Sequence, residues 1–148
     1  MLSSKLATAL NISDAGTGLV KERVALIHLP QMLSRSSQLK LGCGVIMLHW
    51  QNLAQFLKTS SPEEQDTLLK HFGQVLNKVA RDIDTGVRLD EDHFLILVEC
   101  PVSRQTLTLL STQILTDCIR ASDKFGLPNV FGLASRDLAG SACASCCW

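Results

Sequence analysis

The sequence predicts an α/β fold: a central, mostly antiparallel sheet with helices on both faces, in a split βαβ order. Three observations predict it. Leu41–His49 is a run of apolar and branched residues between a Gly pair and a polar stretch, the composition of a buried central strand. Ser61-Pro-Glu-Glu64 is a capping box with Pro at the first helical position, and it opens the strongest helical pattern in the chain. Val87–Leu89 and Phe94–Glu99 are short apolar runs flanking a polar turn at Asp90-Glu91, as a hairpin would.

The elements follow in order. Leu19, Val24, Ile27 and Leu33 give a loose helical pattern over residues 19–36, with a kink or break expected at Pro30. The Leu41–His49 strand comes next, followed by a short helix over Trp50–Lys58. Behind the capping box, Leu68, Phe72, Val75, Leu76, Val79 and Ile83 recur at helical spacing, and Thr85-Gly86 is expected to stop that helix. After the hairpin, Leu107, Leu110, Ile114 and Cys118 mark a helix over Ser103–Ala121, and Asn129–Ser135 forms a last strand.

Composition bounds the function classes. With 148 residues, 46% of them hydrophobic and 19% charged, the chain fits one domain with a sizeable core. Residues 14–136 are assigned to that domain, 1–13 to an N-terminal extension and 137–148 to a Cys-rich tail. The formal net charge is zero, so neither nucleic acid nor an acidic membrane surface is indicated as a partner. The longest apolar run, Leu39–Trp50, carries Lys40 and His49 and is far shorter than the ~20 residues that span a bilayer. No apolar signal region stands at the start, so the chain is expected to be cytoplasmic, either alone or as the cytoplasmic part of a larger sensor. Cys43, Cys100 and Cys118 sit singly in apolar segments and read as small core hydrophobes. Cys143, Cys146 and Cys147 crowd the end as C-x-x-C-C-W, with no second pair nearby to complete a zinc site.

The functional signal lies in the middle of the chain. Arg81 offers a planar fork of donors for a guanine edge or a phosphate, and three residues on Asp84 offers acceptors for guanine's ring and amino N–H groups. An ordinary i,i+3 ion pair late in a helix would have the same letters. Downstream stands Arg88, then Asp90-Glu91-Asp92-His93-Phe94 and an apolar strand. Upstream, Asp14-Ala-Gly-Thr17-Gly18-Leu19 precedes the first helix, Gln65-Asp66-Thr-Leu68-Leu69 lies on the capped helix, and Val130-Phe131-Gly132-Leu133-Ala134-Ser135 lies on the last strand. This ordered set resembles the GGDEF family, the diguanylate cyclases. Its members write R-x-x-D before R-[YL]-G-G-[DE]-E-F, D-x-L-T-G-L upstream, G-D-x-L-L on the helix and S-x-G-x-A near the end. The resemblance covers roughly residues 14 to 136 and implies a nucleotidyl-cyclase-like fold with a ferredoxin-like core.

It also implies an activity, the joining of two GTP molecules into cyclic di-GMP with two Mg²⁺ ions, and here the chain departs from the pattern. His49 stands where the family has its first-strand carboxylate, with Gln51 two residues on, and both are poor Mg²⁺ ligands. Asp92 keeps one metal-binding carboxylate as a vestige. His93 replaces the neighbouring glutamate, and Asp90 and Glu91 replace both glycines, placing two like charges where a triphosphate would lie. Asp66 matches a base-contacting residue, but its Asn partner is replaced by Leu57 or Lys58. The Lys- and Arg-bearing helix and strand that hold the substrate's phosphates in the family are not found in Arg136–Trp148. The expectation is therefore a catalytically inactive domain that needs no cofactor, with Mg²⁺ relevant only to residual cyclase activity.

In the family the R-x-x-D pair binds cyclic di-GMP, so Arg81, Asp84 and Arg88 are the expected receptor site, relaying the ligand to a protein partner. The alternative is a dimerisation or docking module that binds no nucleotide, with a homodimer covering an exposed sheet edge. A further reading takes His49 with Asp92 or His93 as a transition-metal site. Strand alternation sends Asp92 and His93 to opposite faces, so only one of them is expected to join His49. His28 and His71 read as isolated, partly exposed helix residues.

Overall fold

In a computed structural model, residues 12–127 and 131–138 are described. Their elements are β1 (Val20–Lys21), α1 (Glu22–Leu39), β2 (Cys43–Trp50), α2 (Leu53–Thr59), α3 (Pro62–Val79), β3 (Thr85–Arg88), β4 (His93–Val98), α4 (Arg104–Lys124) and β5 (Phe131–Leu138). The expected order of helices and strands is present, with β1 added. That two-residue strand is too short to leave a period in the sequence.

The sheet order is β1-β3-β4-β2-β5. β4 runs antiparallel to both β2 and β3, and β5 antiparallel to β2, while β1 pairs parallel with β3. Because β2 and β3 are each antiparallel to β4, they are parallel to one another with β4 inserted between them, a split βαβ unit crossed by α2 and α3. By the same reasoning β4 and β5 flank β2, joined across it by α4. The two interlocked units are the ferredoxin-like core.

Alternation along β2 divides the core. Ile46, Leu48 and Trp50 join Phe94 and Ile96 of β4 against Leu68, Phe72 and Leu76 of α3 and Leu107, Ile114 and Cys118 of α4. Val45 and Cys43 join Leu97 and Val87 against Ala25 and Met32 of α1. Helices thus cover both faces, and the buried Trp50, Phe72 and Phe94 rings pack with centroids 4.7 to 4.9 Å apart. Cys43, Cys100 and Cys118 are buried, as expected. Burial pushes the Cys118 thiol up to about 12, which makes it inert near neutral pH. The tail cysteines Cys143, Cys146 and Cys147 lie outside the described residues.

Two boundaries differ from expectation. α1 continues through Pro30 to Leu39, although a proline inside a helix removes one hydrogen bond. The helix is held by the buried residues Ala25, Met32 and Ser36 on either side of it. α3 has the reciprocal Ser61–Glu64 capping box but ends at Val79, where Ala80 turns extended at ψ 140°. Ile83 is therefore not on the helix and is exposed, and Thr85-Gly86 belong to β3. Arg81–Asp84 form a tight turn between the two, closed by Asp84 N–H donating to the Arg81 carbonyl at 2.9 Å. No helix among the described residues is long and apolar enough to cross a membrane.

Candidate functional site

The β3–β4 hairpin places two polar corners at its opposite ends. At the first, the Arg81 guanidinium grips Asp84 with a fork: Nε donates to Oδ2 at 2.9 Å and Nη2 to Oδ1 at 3.0 Å. Nη2 also donates to the Glu99 carbonyl at 2.6 Å and Nη1 to the Pro101 carbonyl at 2.9 Å. Asp84 accepts two further bonds, from the backbone N–H of Arg81 at 3.0 Å and of Glu99 at 2.9 Å. A carboxylate has about four acceptor sites, and all four are used. The Asp84 side chain is 0% exposed and that of Arg81 29%. The pair thus fastens the turn before β3 to the end of β4. Glu99 extends this corner to α1, pairing with Arg35 at 2.7 Å and lying 3.8 Å from His28. His28 is thus not isolated. Burial alone would raise the Glu99 pKa, but the Arg35 guanidinium outweighs it and holds the carboxyl below its usual value.

Arg88 is placed elsewhere, at the last residue of β3. It donates to Asp14 Oδ2 at 3.0 Å and to the carbonyls of Asp90 and Glu91 at 3.0 and 3.2 Å. Asp14 also accepts from the N–H and hydroxyl of Thr17, both at 2.9 Å. Burial would raise its pKa, but the Thr17 and Arg88 bonds lower it overall. Gly73 of α3 makes this arrangement possible, since a Cβ there would stand 1.9 Å from the Thr17 carbonyl oxygen. A shallow cavity of about 390 Å³ opens beside it, lined by Asp14, Lys21, Glu22, Arg88, Leu89, Asp90 and Glu91. Four of those seven residues are carboxylates, so the wall as a whole disfavours a polyphosphate.

The second corner holds the stretch Asp90–Phe94 together with His49. His49 and His93 are paired residues on β2 and β4, and their rings stack with centroids 4.2 Å apart and planes 7° from parallel. Asp92 lies at the edge of the stack in reach of both rings, with Oδ2 3.3 Å from His49 Nε2 and Oδ1 2.9 Å from His93 Nδ1. The expectation that Asp92 and His93 point apart is corrected here. β4 begins at His93, so Asp92 precedes the strand and escapes its alternation. Its carbonyl accepts from Trp50 N–H at 2.9 Å, which fixes it beside the end of β2. Asp90 lies 2.9 and 3.0 Å from His93 Nδ1 and accepts the N–H groups of Asp92 and His93. That bond lifts the His93 pKa above its ordinary value. Asp90 itself is held below the usual range, because these bonds outweigh its burial. Phe94 turns away into the core, and Asp66 stands exposed near the start of α3.

The family model described as the diguanylate cyclase, GGDEF domain matches residues 11–124. The chain belongs to the GGDEF family. No curated protein matches it. Among solved structures it is similar to the diguanylate cyclase SiaD of Pseudomonas aeruginosa, in complex with its activator SiaC. That match has 20% identity and a TM-score of 0.69 over 90% of this chain and 52% of that one. LapD of Vibrio cholerae, bound to c-di-GMP, matches at 18% identity and TM-score 0.70, over 89% of this chain and 31% of that one. The GGDEF domain of FimX from Pseudomonas aeruginosa matches at 11% identity and TM-score 0.72, over 88% and 82%. The chain thus spans about half of SiaD and under a third of LapD. At these identities the likeness shows the fold.

Within this GGDEF domain the donors at the signature corner do not fit Mg²⁺. Two are imidazole nitrogens, the carboxylate oxygens already face those imidazoles, and a hard octahedral ion requires oxygen ligands. Sequence reasoning paired Arg81 with Asp84 but missed the Glu99 N–H on Asp84 and the arginine partners of Asp14 and Glu99. Arg88–Asp14 and Arg35–Glu99 join residues 74 and 64 positions apart, so no local pattern signals them.

Proposed function

We propose that this GGDEF domain is catalytically inactive and serves cyclic di-GMP signalling by recognition instead of turnover. The observation that carries the reading is the composition of the signature corner. His49 and His93 occupy carboxylate positions, and Asp90 and Glu91, in glycine positions, supply two of the four carboxylates that line the adjoining cavity. Positioning a triphosphate there would bring like charges together at a donor set that does not suit the Mg²⁺ that normally neutralises them.

The recognition reading places cyclic di-GMP at Arg81 and Asp84, with Arg88 as a phosphate contact, and relays binding to a protein partner. Its support is the R-x-x-D spacing before the signature and the partial exposure of Arg81. It requires the corner to open, because a guanine can bond Asp84 only by displacing Arg81 or the Glu99 N–H. The saturation of Asp84 favours a second reading, a docking or dimerisation module that binds no nucleotide.

Calorimetric titration with cyclic di-GMP separates the two, run on the native chain, on Arg81→Ala and on Arg81→Lys, which keeps a cation but loses the fork. Binding lost in both variants supports the receptor. A folded chain that binds neither cyclic di-GMP nor GTP with Mg²⁺ supports the docking module, and turnover of GTP would overturn the proposal of inactivity.

A further inference from the structure

We propose that His49, Asp92 and His93 form a binding site for a divalent transition-metal ion of the zinc class. The three residues offer two imidazole nitrogens and a carboxylate, with one donor atom from each lying within 4.8 Å of the others. Around a tetrahedral zinc ion, donors at bond lengths of about 2.0–2.2 Å stand roughly 3.3–3.6 Å apart. The two Asp92 contacts, at 3.3 Å to His49 and 2.9 Å to His93, are already at or inside that spacing. Coordination requires the two imidazoles, stacked with their planes 7° from parallel, to turn out of the stack so that their in-plane lone pairs converge on the ion.

The donors are held by the sheet. His49 and His93 face one another across the paired β2 and β4, and Asp92 is pinned by the bond from Trp50 N–H. Asp90 contacts the same His93 Nδ1 at 2.9 and 3.0 Å, so an ion bound at Nδ1 displaces that ring contact, while the backbone N–H groups of Asp92 and His93 keep Asp90 beside the site. The side chains of His49, His93 and Asp92 are 40%, 39% and 22% exposed, so an ion can enter from solvent. Imidazole selects zinc and its neighbours over Mg²⁺ and Ca²⁺, and three protein ligands leave further positions for water or an incoming ligand. The inference does not depend on whether the domain binds cyclic di-GMP, since Arg81 and Asp84 lie at the other end of the hairpin.

The test uses the full chain with Cys143→Ser, Cys146→Ser and Cys147→Ser, which removes the thiols of the C-x-x-C-C tail as competing ligands. Co²⁺ is titrated near neutral pH and followed by its visible absorption, and Zn²⁺ affinity is measured by competition with a chromophoric chelator. One ion is expected per chain, with no displacement by a large excess of Mg²⁺. His49→Ala and His93→Ala are each expected to weaken binding by at least about tenfold, the least that disturbing a metal site typically costs. His49→Gln, which keeps the side-chain volume, should lose the ion equally, and circular dichroism checks that each variant is folded. A folded chain that takes up neither ion would overturn the proposal. So would uptake that survives both histidine substitutions, or displacement by Mg²⁺.

Discussion

The two ends of the β3–β4 hairpin carry the two parts of the family signature, and they use their polar groups in opposite ways. At one end Asp84 is fully buried, accepts four hydrogen bonds and shares an arginine that also ties down two carbonyls. At the other, Asp92 and two stacked imidazoles are partly open to solvent, and their contacts run among themselves and Asp90. The first corner is a fastening whose opening would leave buried polar groups without partners. The second keeps its donor groups at the surface, where the proposed ion would meet side chains and not the fastening of the hairpin. Matching letters therefore mark where a family site lies, and the hydrogen-bond count decides whether its donors are available.

Substitutions on each side test this contrast. The largest effect is expected for Asp84→Ala, which strands the Arg81 guanidinium and the Glu99 N–H. It should lower unfolding stability by about 3 kcal/mol in urea titration. A loss below about 1 kcal/mol would show that the corner is looser than its geometry, and would favour ligand access there.

A smaller effect is expected at Glu99 as pH falls. Its folded pKa lies below its unfolded one, so its contribution is complete above the ordinary value of 4.5 and lost as pH drops through the folded value. The native chain should thus lose more stability between neutral pH and acid than Glu99→Gln does. The difference should be up to about 1 kcal/mol, because Arg35 is exposed and the pair is screened. Equal acid sensitivity in the two proteins would place the pairing outside the stability of this corner. Asp14, also lowered, acts in the same direction in both proteins and cancels from the comparison.

The smallest effect belongs to the open corner. His49→Ala removes a side chain that is 40% exposed and should change stability by no more than about 0.5 kcal/mol. A loss several times larger, measured by the same titration in the absence of added metal, would mean that the imidazole stack is structural.

The fold was largely legible because its signals are local. The Ser61–Glu64 capping box, the apolar run of β2 and the hairpin around Asp90-Glu91 each carry their instruction within a few residues. The misplaced boundaries have equally physical causes. Ile83 falls on the helical period by coincidence, while Ala80 leaves the helix and Asp84 caps the turn that follows. Pro30 stays inside α1 where the burial of one face outweighs the missing bond.

The candidate site was legible only as a set of positions. Composition and pattern by themselves determined an α/β fold and the family, and set His49, Asp90 and Glu91 against its pattern as expected departures. Whether Asp92 and His93 point the same way depended on where β4 begins, and whether Asp84 keeps a free acceptor depended on Glu99, fifteen residues away. Only the tertiary structure decided those questions, because side-chain direction and hydrogen-bond saturation arise from strand register and long-range pairing, which no local sequence window contains.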